Sequence, residues 1–498
     1  MISSLRNSVS LLALLTLLTT ASTATAEFKD GNKQLGISPG GKAAFIDYNN
    51  DGWIDLFAGQ LWKNEGGKKF VPAKDSKAPG GEVIWGDFDN DGNVDVFQFT
   101  GAGSLHRNKG DGTFEAVPFP KLPTVNSRGA AWLDINNDGL LDLYVGGYEI
   151  WTQRVHPDAI FINQGGGKFA KQWQNLQYRQ GVKEGNYSAR GVTAGDFNED
   201  GFVDVYVSNY RLQPNHLWQN SGKGNGKFTN VAMAVGAAGK PSQVINYTGG
   251  ITYPVCGHTI GSCFGDMDND GHLDIFVGNF AHGAAYQNRS QFLRNLGPKG
   301  KYKFEDKTAG SGLGYQESYA SPALGDFDND GDLDLYFTTV YGHNHSVLYS
   351  NEGGWKFKNI TAPQGLGSLP PTYQSAWGDI DNDGDLDLAT AGKLWINQVA
   401  ATPKNKWIAL TLEGDGKKVN RSAVGAIARI KLKDRVLTRQ VESGTGEGNQ
   451  NQLRLHFGLG AHEGPVDVEI TWLGAGKQMV KGLAAGKVHK VTFKATAG

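Results

Sequence analysis

Two cysteines in 498 residues are too few to staple a fold of this size with disulfides. Cys256 and Cys263 stand in a Gly-rich stretch with six residues between them. In an oxidising compartment their expected state is a local disulfide. A thiol metal site is the alternative, but His258 between them does not complete a zinc set. An excess of one charge is also missing. Lys and Arg number 48 against 50 Asp and Glu, a formal net of −2, and no RNP-like motif accompanies the basic residues, so no nucleic-acid partner is expected. Long apolar runs are absent after Leu11–Leu18, which is itself too short to span a bilayer. With Arg6 before it and Ala24-Thr25-Ala26 after it, that run reads as a secretory signal over residues 1–26. The expected mature chain starts near Glu27, has no transmembrane segment, and is exported to the periplasm or beyond the cell. P-loop, H-E-x-x-H and G-x-S-x-G signatures are missing as well.

What the chain has instead is glycine, 70 residues of it, and a nine-residue pattern, D-x-[DN]-x-D-G-x-x-D, written seven times. The side-chain oxygens stand at positions one, three, five and nine. They are Asp47, Asn49, Asp51, Asp55; Asp87, Asp89, Asp91, Asp95; Asp134, Asn136, Asp138, Asp142; and Asp196, Asn198, Asp200, Asp204. The remaining three sets are Asp266, Asp268, Asp270, Asp274; Asp326, Asp328, Asp330, Asp334; and Asp379, Asp381, Asp383, Asp387. Carboxylates crowded this way repel one another until a hard cation joins them, and Ca²⁺ takes six to eight such oxygens. Up to seven structural Ca²⁺ ions are therefore expected. An EF-hand is excluded, because position twelve is never acidic and positions eight and ten are always aliphatic, as in Ile54 and Leu56. That alternation is the period of a half-buried strand.

Each loop is followed by an apolar pair, an Asn, a glycine turn and a Phe, as in Leu348-Tyr349-Ser350-Asn351…Phe357. This is a hairpin signal. Four strands per repeat and seven repeats predict an all-β fold, a seven-bladed β-propeller over residues 27–403, followed by a small all-β module over 404–498. The seventh repeat reaches Leu394-Trp395-Ile396-Asn397 and then lacks its outer strand. Phe28-Lys29-Asp30…Gly36-Ile37 matches the missing piece, so residues 28–37 are expected to close the ring.

These repeats resemble FG-GAP/VCBS propeller repeats, as in integrin α-chain propellers and bacterial surface proteins. The C-terminal stretch resembles an ASPIC/UnbV module through Asn420, Ala423-Val424-Gly425-Ala426, Ser443-Gly444-Thr445-Gly446, Leu455–Gly460 and Val466–Trp472. Together they resemble the cartilage acidic protein-like family. Two departures stand out: Leu473-Gly474 follows the Trp where the family has Pro and a small residue, and Glu447-Gly448-Asn449-Gln450 lacks an aromatic.

In a four-stranded meander the metal loops and glycine hairpins share one face. The connections between strands two and three share the other face with the links from blade to blade. Inserts concentrate on that second face in blades 3 to 6. They carry Tyr148, Trp151, Arg154, His156, Tyr210, Arg211, His282, Tyr286, His343 and His345, the candidate ligand face. No catalytic residue is assigned. A binding or adhesion protein is expected, its partners anionic glycans or cell-surface proteins. The alternative is a carbohydrate lyase or hydratase working on the same face. Residues 27–403 carry a formal net of −11 and residues 404–498 a net of +8; seven Ca²⁺ would make the first part +3 and the whole protein basic.

Overall fold

The computed structural model describes residues 28–123, 126–150, 154–174, 187–241, 244–247, 251–254, 256–283, 287–398 and 405–495. The expected signal segment, Trp151 and Tyr286 lie outside them, and of Arg154 only the backbone is described.

Among the described residues, seven four-stranded antiparallel sheets follow one another from Phe28 to Asn397. Their first strands are Ala43–Ile46, Val83–Gly86, Ala130–Leu133, Ala189–Gly195, His258–Gly265, Tyr319–Gly325 and Ser375–Gly378. Each first strand packs against the next, and Ser375–Gly378 packs against Ala43–Ile46, so the sheets form a closed β-propeller. We number the sheets blades 1 to 7 in that order. The outer strand of blade 7 is Phe28–Asp30, which pairs antiparallel with Lys393–Asn397, Phe28 opposite Asn397. That pairing covers an edge the chain would otherwise leave open.

The apolar alternation after each metal loop places its side chains between neighbouring sheets. Phe45, Leu56 and Trp62 of blade 1 bury against Ala376, Ile380 and Leu394 of blade 7. Each fully buried Phe or Leu of this kind contributes roughly 1.5–3 kcal/mol. Glycine ends five of the first strands for a steric reason. A Cβ on Gly378 would lie 2.6 Å from the Phe45 ring, and one on Gly325 would lie 2.9 Å from the Trp377 ring.

The C-terminal residues form two further sheets. One orders Val436–Gln440, Ile427–Lys431, Val466–Trp472 and Gly476–Leu483; the other orders Leu455–Gly460, Lys406–Glu413 and Val488–Thr492. Ile408, Leu410, Ile430, Phe457, Val468 and Ile470 bury between them. This module lies across the metal-loop face of the propeller. It touches loop 2 through Arg421 N to Asn90 Oδ1 (2.8 Å) and loop 3 where a Cβ on Gly139 would meet Lys417 O at 2.4 Å. Gly474 N donates to Gly201 O of loop 4 and Val436 N to Asn269 O of loop 5. Gly458 N donates to Asp326 of loop 6, and Arg454 reaches both Asn382 of loop 7 and Gly52 O of loop 1.

Several of the module's basic groups are therefore not free to meet a partner. Arg429 binds Glu199 and Gly271 O, Arg435 binds Asp332, and Arg439 binds Asp326. The positive surplus seen in the sequence lies partly against the acidic loops, where opposite charges attract.

The expected disulfide does not form: Cys256 and Cys263 are free and buried. Cys263 sits inside the extended strand His258–Gly265 opposite Phe276, whereas Cys256 precedes that strand and bonds through its backbone to Leu212 and Asn288. An extended chain advances about 3.3 Å per residue, which carries the two Cα atoms well beyond the ~7 Å a disulfide tolerates.

Candidate functional site

Each nine-residue loop is a pair of turns held by its own aspartates. In blades 1 to 5 the first Asp accepts the N–H groups of positions five and six, as Asp47 does from Asp51 (3.1 Å) and Gly52 (2.9 Å). Position six needs a left-handed backbone, with φ between 83° and 99° in the seven loops, and glycine supplies it without strain. The ninth residue does the same job in every blade. Its Oδ1 accepts the N–H of the third-strand Asn at 2.7–2.8 Å, as Asp334 does from Asn351. Its Oδ2 accepts the N–H of position two.

The identity of position three divides the loops. Where it is Asp, three carboxylates converge with one oxygen each within 4.8 Å: Asp87, Asp89, Asp95; Asp266, Asp268, Asp274; Asp326, Asp328, Asp334; and Asp379, Asp381, Asp383. Where it is Asn, as at Asn49, Asn136 and Asn198, its amide donates to the position-five Asp at 2.9–3.0 Å instead.

The Asp loops of blades 2, 5 and 7 fit a metal ion on two counts. Buried oxygens of Asp89, Asp268, Asp379 and Asp381 have no hydrogen-bond donor. Burial, reinforced by neighbouring carboxylates, also raises these groups far above the ordinary carboxylate range: Asp87 and Asp379 to about 7, Asp266 and Asp383 to about 8. A hard divalent cation answers both the unpaired oxygens and the repulsion.

The Asn after each loop has a role the sequence pattern marks but does not explain. Its Nδ2 donates to position eight of its own loop and, at 2.7–2.9 Å, to position two of the preceding blade's loop. Asn64 thus reaches Ile380 O of blade 7, and Asn351 reaches Met267 O of blade 5. Position four adds a second link. Asn50, Asn90, Asn137, Asn329 and Asn382 each donate to the position-six carbonyl of the following loop, Asn382 returning to Gly52 O. Asn269 reaches Asp332, and Glu199 meets His272, so the seven loops form one hydrogen-bonded belt.

On the opposite face the mouth of the central channel is lined by residues from several blades. The guanidinium of Arg190 lies 5.2–5.4 Å from the ring centres of Tyr148, Tyr210 and Tyr373 and is ion-paired with Glu447. Arg211 binds Glu149 (Nε to Oε1 2.8 Å) and lies over Tyr210. His282 and His343 share Glu317, at 2.6 and 3.3 Å. His258 packs beside Tyr210 and His282, its pKa pushed down to about 3 by burial. His156 is buried and bonds through its backbone to Tyr148 O, and His345 is exposed and bonds through its backbone to Gln316. Of the residues the sequence brings forward, Tyr148, Tyr210, Arg211, His282 and His343 do gather here. Arg190, Tyr373, Glu317 and Glu447 are missed by sequence reasoning, because no local motif marks them.

Glu447 belongs to the C-terminal module. Its hairpin Ser443–Gln452 descends the channel, with Ser443 bonded to Trp85 O and Trp132 N, Gly446 O to Val192 N, and Asn449 to Ala43 and Ser375.

The family described as FG-GAP-like repeat matches residues 87–145, 196–277, 266–337 and 326–390, and that described as ASPIC and UnbV matches 416–497. The chain is 24% identical over 390 residues to cartilage acidic protein 1 of Homo sapiens, covering 73% of this chain and 53% of that protein. It is 23% identical over 393 residues to the Xenopus tropicalis protein, covering 74% and 54%. It thus spans about half the length of the curated relatives it matches. Among solved structures it resembles an exotype rhamnogalacturonan lyase, YesX, with a TM-score of 0.37 at 11% identity over 73% of this chain and 72% of that one. It also resembles the V. cholerae biofilm matrix protein Bap1, with a TM-score of 0.30 at 12% identity over 92% and 76%. Superpositions this loose say nothing of site or substrate.

Proposed function

For a chain that belongs to the FG-GAP-like repeat proteins ending in an ASPIC and UnbV domain, we propose the role of an exported, calcium-bound binding protein. In this reading residues 1–26 direct export, 27–403 make the propeller and 404–498 the module. Ca²⁺ is the ion of the nine-residue loops, because all-oxygen donor sets of this kind suit a hard cation of flexible coordination. Calcium here is structural: it holds the belt on which the module is seated.

The ligand is taken at the channel mouth on the insert-rich face. One observation carries this placement: the module covers the metal-loop face, while Tyr148, Tyr210, Tyr373 and the partly exposed Arg211 meet on the other, around the enclosed Arg190–Glu447 pair. Tyrosine rings with a flanking guanidinium group recognise sugar faces and acidic or aromatic protein side chains. A glycan array probed with the wild-type protein in calcium and in EGTA, beside Tyr210→Ala and Arg211→Glu, tests the reading. Calcium-dependent, salt-sensitive binding lost in both variants supports it. Binding equal in all three proteins places the ligand elsewhere.

A further inference from the structure

On the insert-rich face a pocket of about 190 Å³ opens between blades 5 and 6. Arg289 and Ser290, just before the third strand of blade 5, form one side. The link from blade 5 into blade 6 forms the other, through Thr308, Leu313, Tyr315 and Gln316. A path of contacts joins this pocket to the channel mouth. Tyr210 packs on His258 and His258 on His282, and Ala281, next to His282, lines the pocket.

Arg289 is the only charged side chain in that lining. Among the described residues of the propeller, Arg107, Arg128, Arg190, Arg211 and Arg294 each face a carboxylate. Arg289 has neither a carboxylate nor another hydrogen-bond acceptor among them. Its guanidinium carbon lies 4.2 Å from the centre of the Tyr315 ring, which is 44% exposed. The Tyr315 hydroxyl donates to Ala281 O at 2.7 Å, so the ring is fixed and braces a guanidinium whose N–H groups are unspent. Two acids on the flanking segments are engaged elsewhere: Glu317 by His282 and His343, Asp306 by Gln291 and the Thr308 N–H. Gln316 is tied at both ends of its amide to the His345 backbone, at 2.6 and 2.7 Å. The hydroxyls of Ser290 and Thr308 share the pocket with the guanidinium, and Thr308 accepts from Phe292 N while keeping its own proton to give.

A planar fork of N–H donors held against a ring recognises a carboxylate. Hydroxyls in the same pocket offer partners to ligand hydroxyls, which a sugar acid carries and an aspartate or glutamate side chain lacks. The volume is below the roughly 300 Å³ at which sites for whole small ligands begin, so the pocket takes one residue of a longer ligand. We propose that it seats a carboxylate-bearing sugar residue of an acidic glycan, with Arg289 pairing to the carboxylate and Thr308 to a hydroxyl. The inference rests on the insert-rich face being the ligand site, and gives that ligand its acidic residue.

The test exposes the full-length protein, in calcium, to an array of glycans ending in a uronic or sialic acid. Each is printed beside its methyl ester, and a Glu-rich peptide is printed with them. Wild type is expected to prefer the acids over their esters by about tenfold or more. Arg289→Gln should lose that preference while still binding the esters. Arg289→Lys should recover part of it, because the charge returns without the fork. Both variants should melt at the wild-type temperature, since only a surface side chain has changed. Equal binding of acids and esters by the wild type, binding of neither, or a preference that survives Arg289→Gln overturns the pocket alone. Arg289-dependent binding of the peptide, with no acidic glycan bound, overturns the sugar assignment. Glycan binding untouched by both Arg289→Gln and Tyr210→Ala overturns the pocket and the ligand face together.

Discussion

Glu447, at the tip of a hairpin from the C-terminal module, is ion-paired with Arg190 on the first strand of blade 4, 257 residues earlier in the chain. Both side chains are nearly inaccessible, and three tyrosine rings enclose the guanidinium. The pair joins the module to the propeller at the far end of the channel from the belt. Fold and module are therefore one cooperative object at two points, not a domain with a tail.

Removing one partner leaves a buried charge without its counter-ion, which costs roughly 3–5 kcal/mol, whereas replacing both by apolar groups is often neutral. Glu447→Gln is expected to lose stability in that range by urea unfolding. Arg190→Met together with Glu447→Leu should recover most of it. A single variant as stable as wild type would mean the pair contributes nothing.

The inter-blade Asn makes a second, local prediction. Asn351→Ala strips donors from two buried carbonyls, Met267 O and Leu333 O, and an acceptor from Gly353 N. Leaving buried carbonyls unsatisfied costs roughly 1–3 kcal/mol each. Unfolding should therefore be easier by several kcal/mol although no metal ligand has changed. The control is the neighbouring Ser350→Ala, which removes only a hydroxyl bonded to Glu352 at the surface. It should leave stability within about 0.5 kcal/mol of wild type.

How much of this is legible in the sequence depends on the range of each interaction. The nine-residue loops and the strand after each are local, so alternation and spacing disclose them, and Phe28–Asp30 is recognisable as a displaced outer strand by likeness to Phe357–Asn359. Asn351 is visible as a repeated letter, but its purpose requires the carbonyl of a neighbouring blade. Arg190 and Glu447 sit in no motif, and their meeting depends on the module seating over the loops. The disulfide expectation fails for a related reason: nearness in sequence is not nearness in space, and Cys263 lies in a fully extended strand.

Position three sets up a test of the metal loops. Asp328→Asn converts loop 6 to the pattern of Asn49, Asn136 and Asn198, dissolving its group of three carboxylates while keeping Asp334 anchored to Asn351 and Phe327. Calcium titration is expected to show one site weakened with the fold intact by circular dichroism. Asp334→Ala should cost more, because it removes those two backbone anchors as well. Chelation of the wild type should lower the melting temperature, since each site filled to a hundred times its Kd adds about 2.7 kcal/mol. An unchanged melt in excess EGTA would sink the metal assignment.

Proton linkage gives the chelated protein an unusual pH dependence. Burial raises Asp55 to about 8 and Asp134, Asp158, Asp196 and Glu442 to about 7, far above their values in an unfolded chain. The folded state then holds protons that the unfolded state has released, so stability falls as pH rises through the interval from about 4 to 8. Three buried histidines, His216, His258 and His456, are pushed down to about 3 and act oppositely, but mainly below their unfolded value near 6.5. Between pH 8 and pH 6.5 the carboxylates outweigh the histidines, which are at most half protonated in the unfolded chain there. In EGTA the melting temperature is therefore expected to rise on acidification across that window, by the order of a few °C. In saturating calcium the loop carboxylates stay ionised on the metal, and only Asp158 and Glu442 remain to titrate, so the rise should shrink. A chelated protein whose melting temperature falls from pH 8 to pH 6.5 would show that these carboxylates are not protonated in the fold.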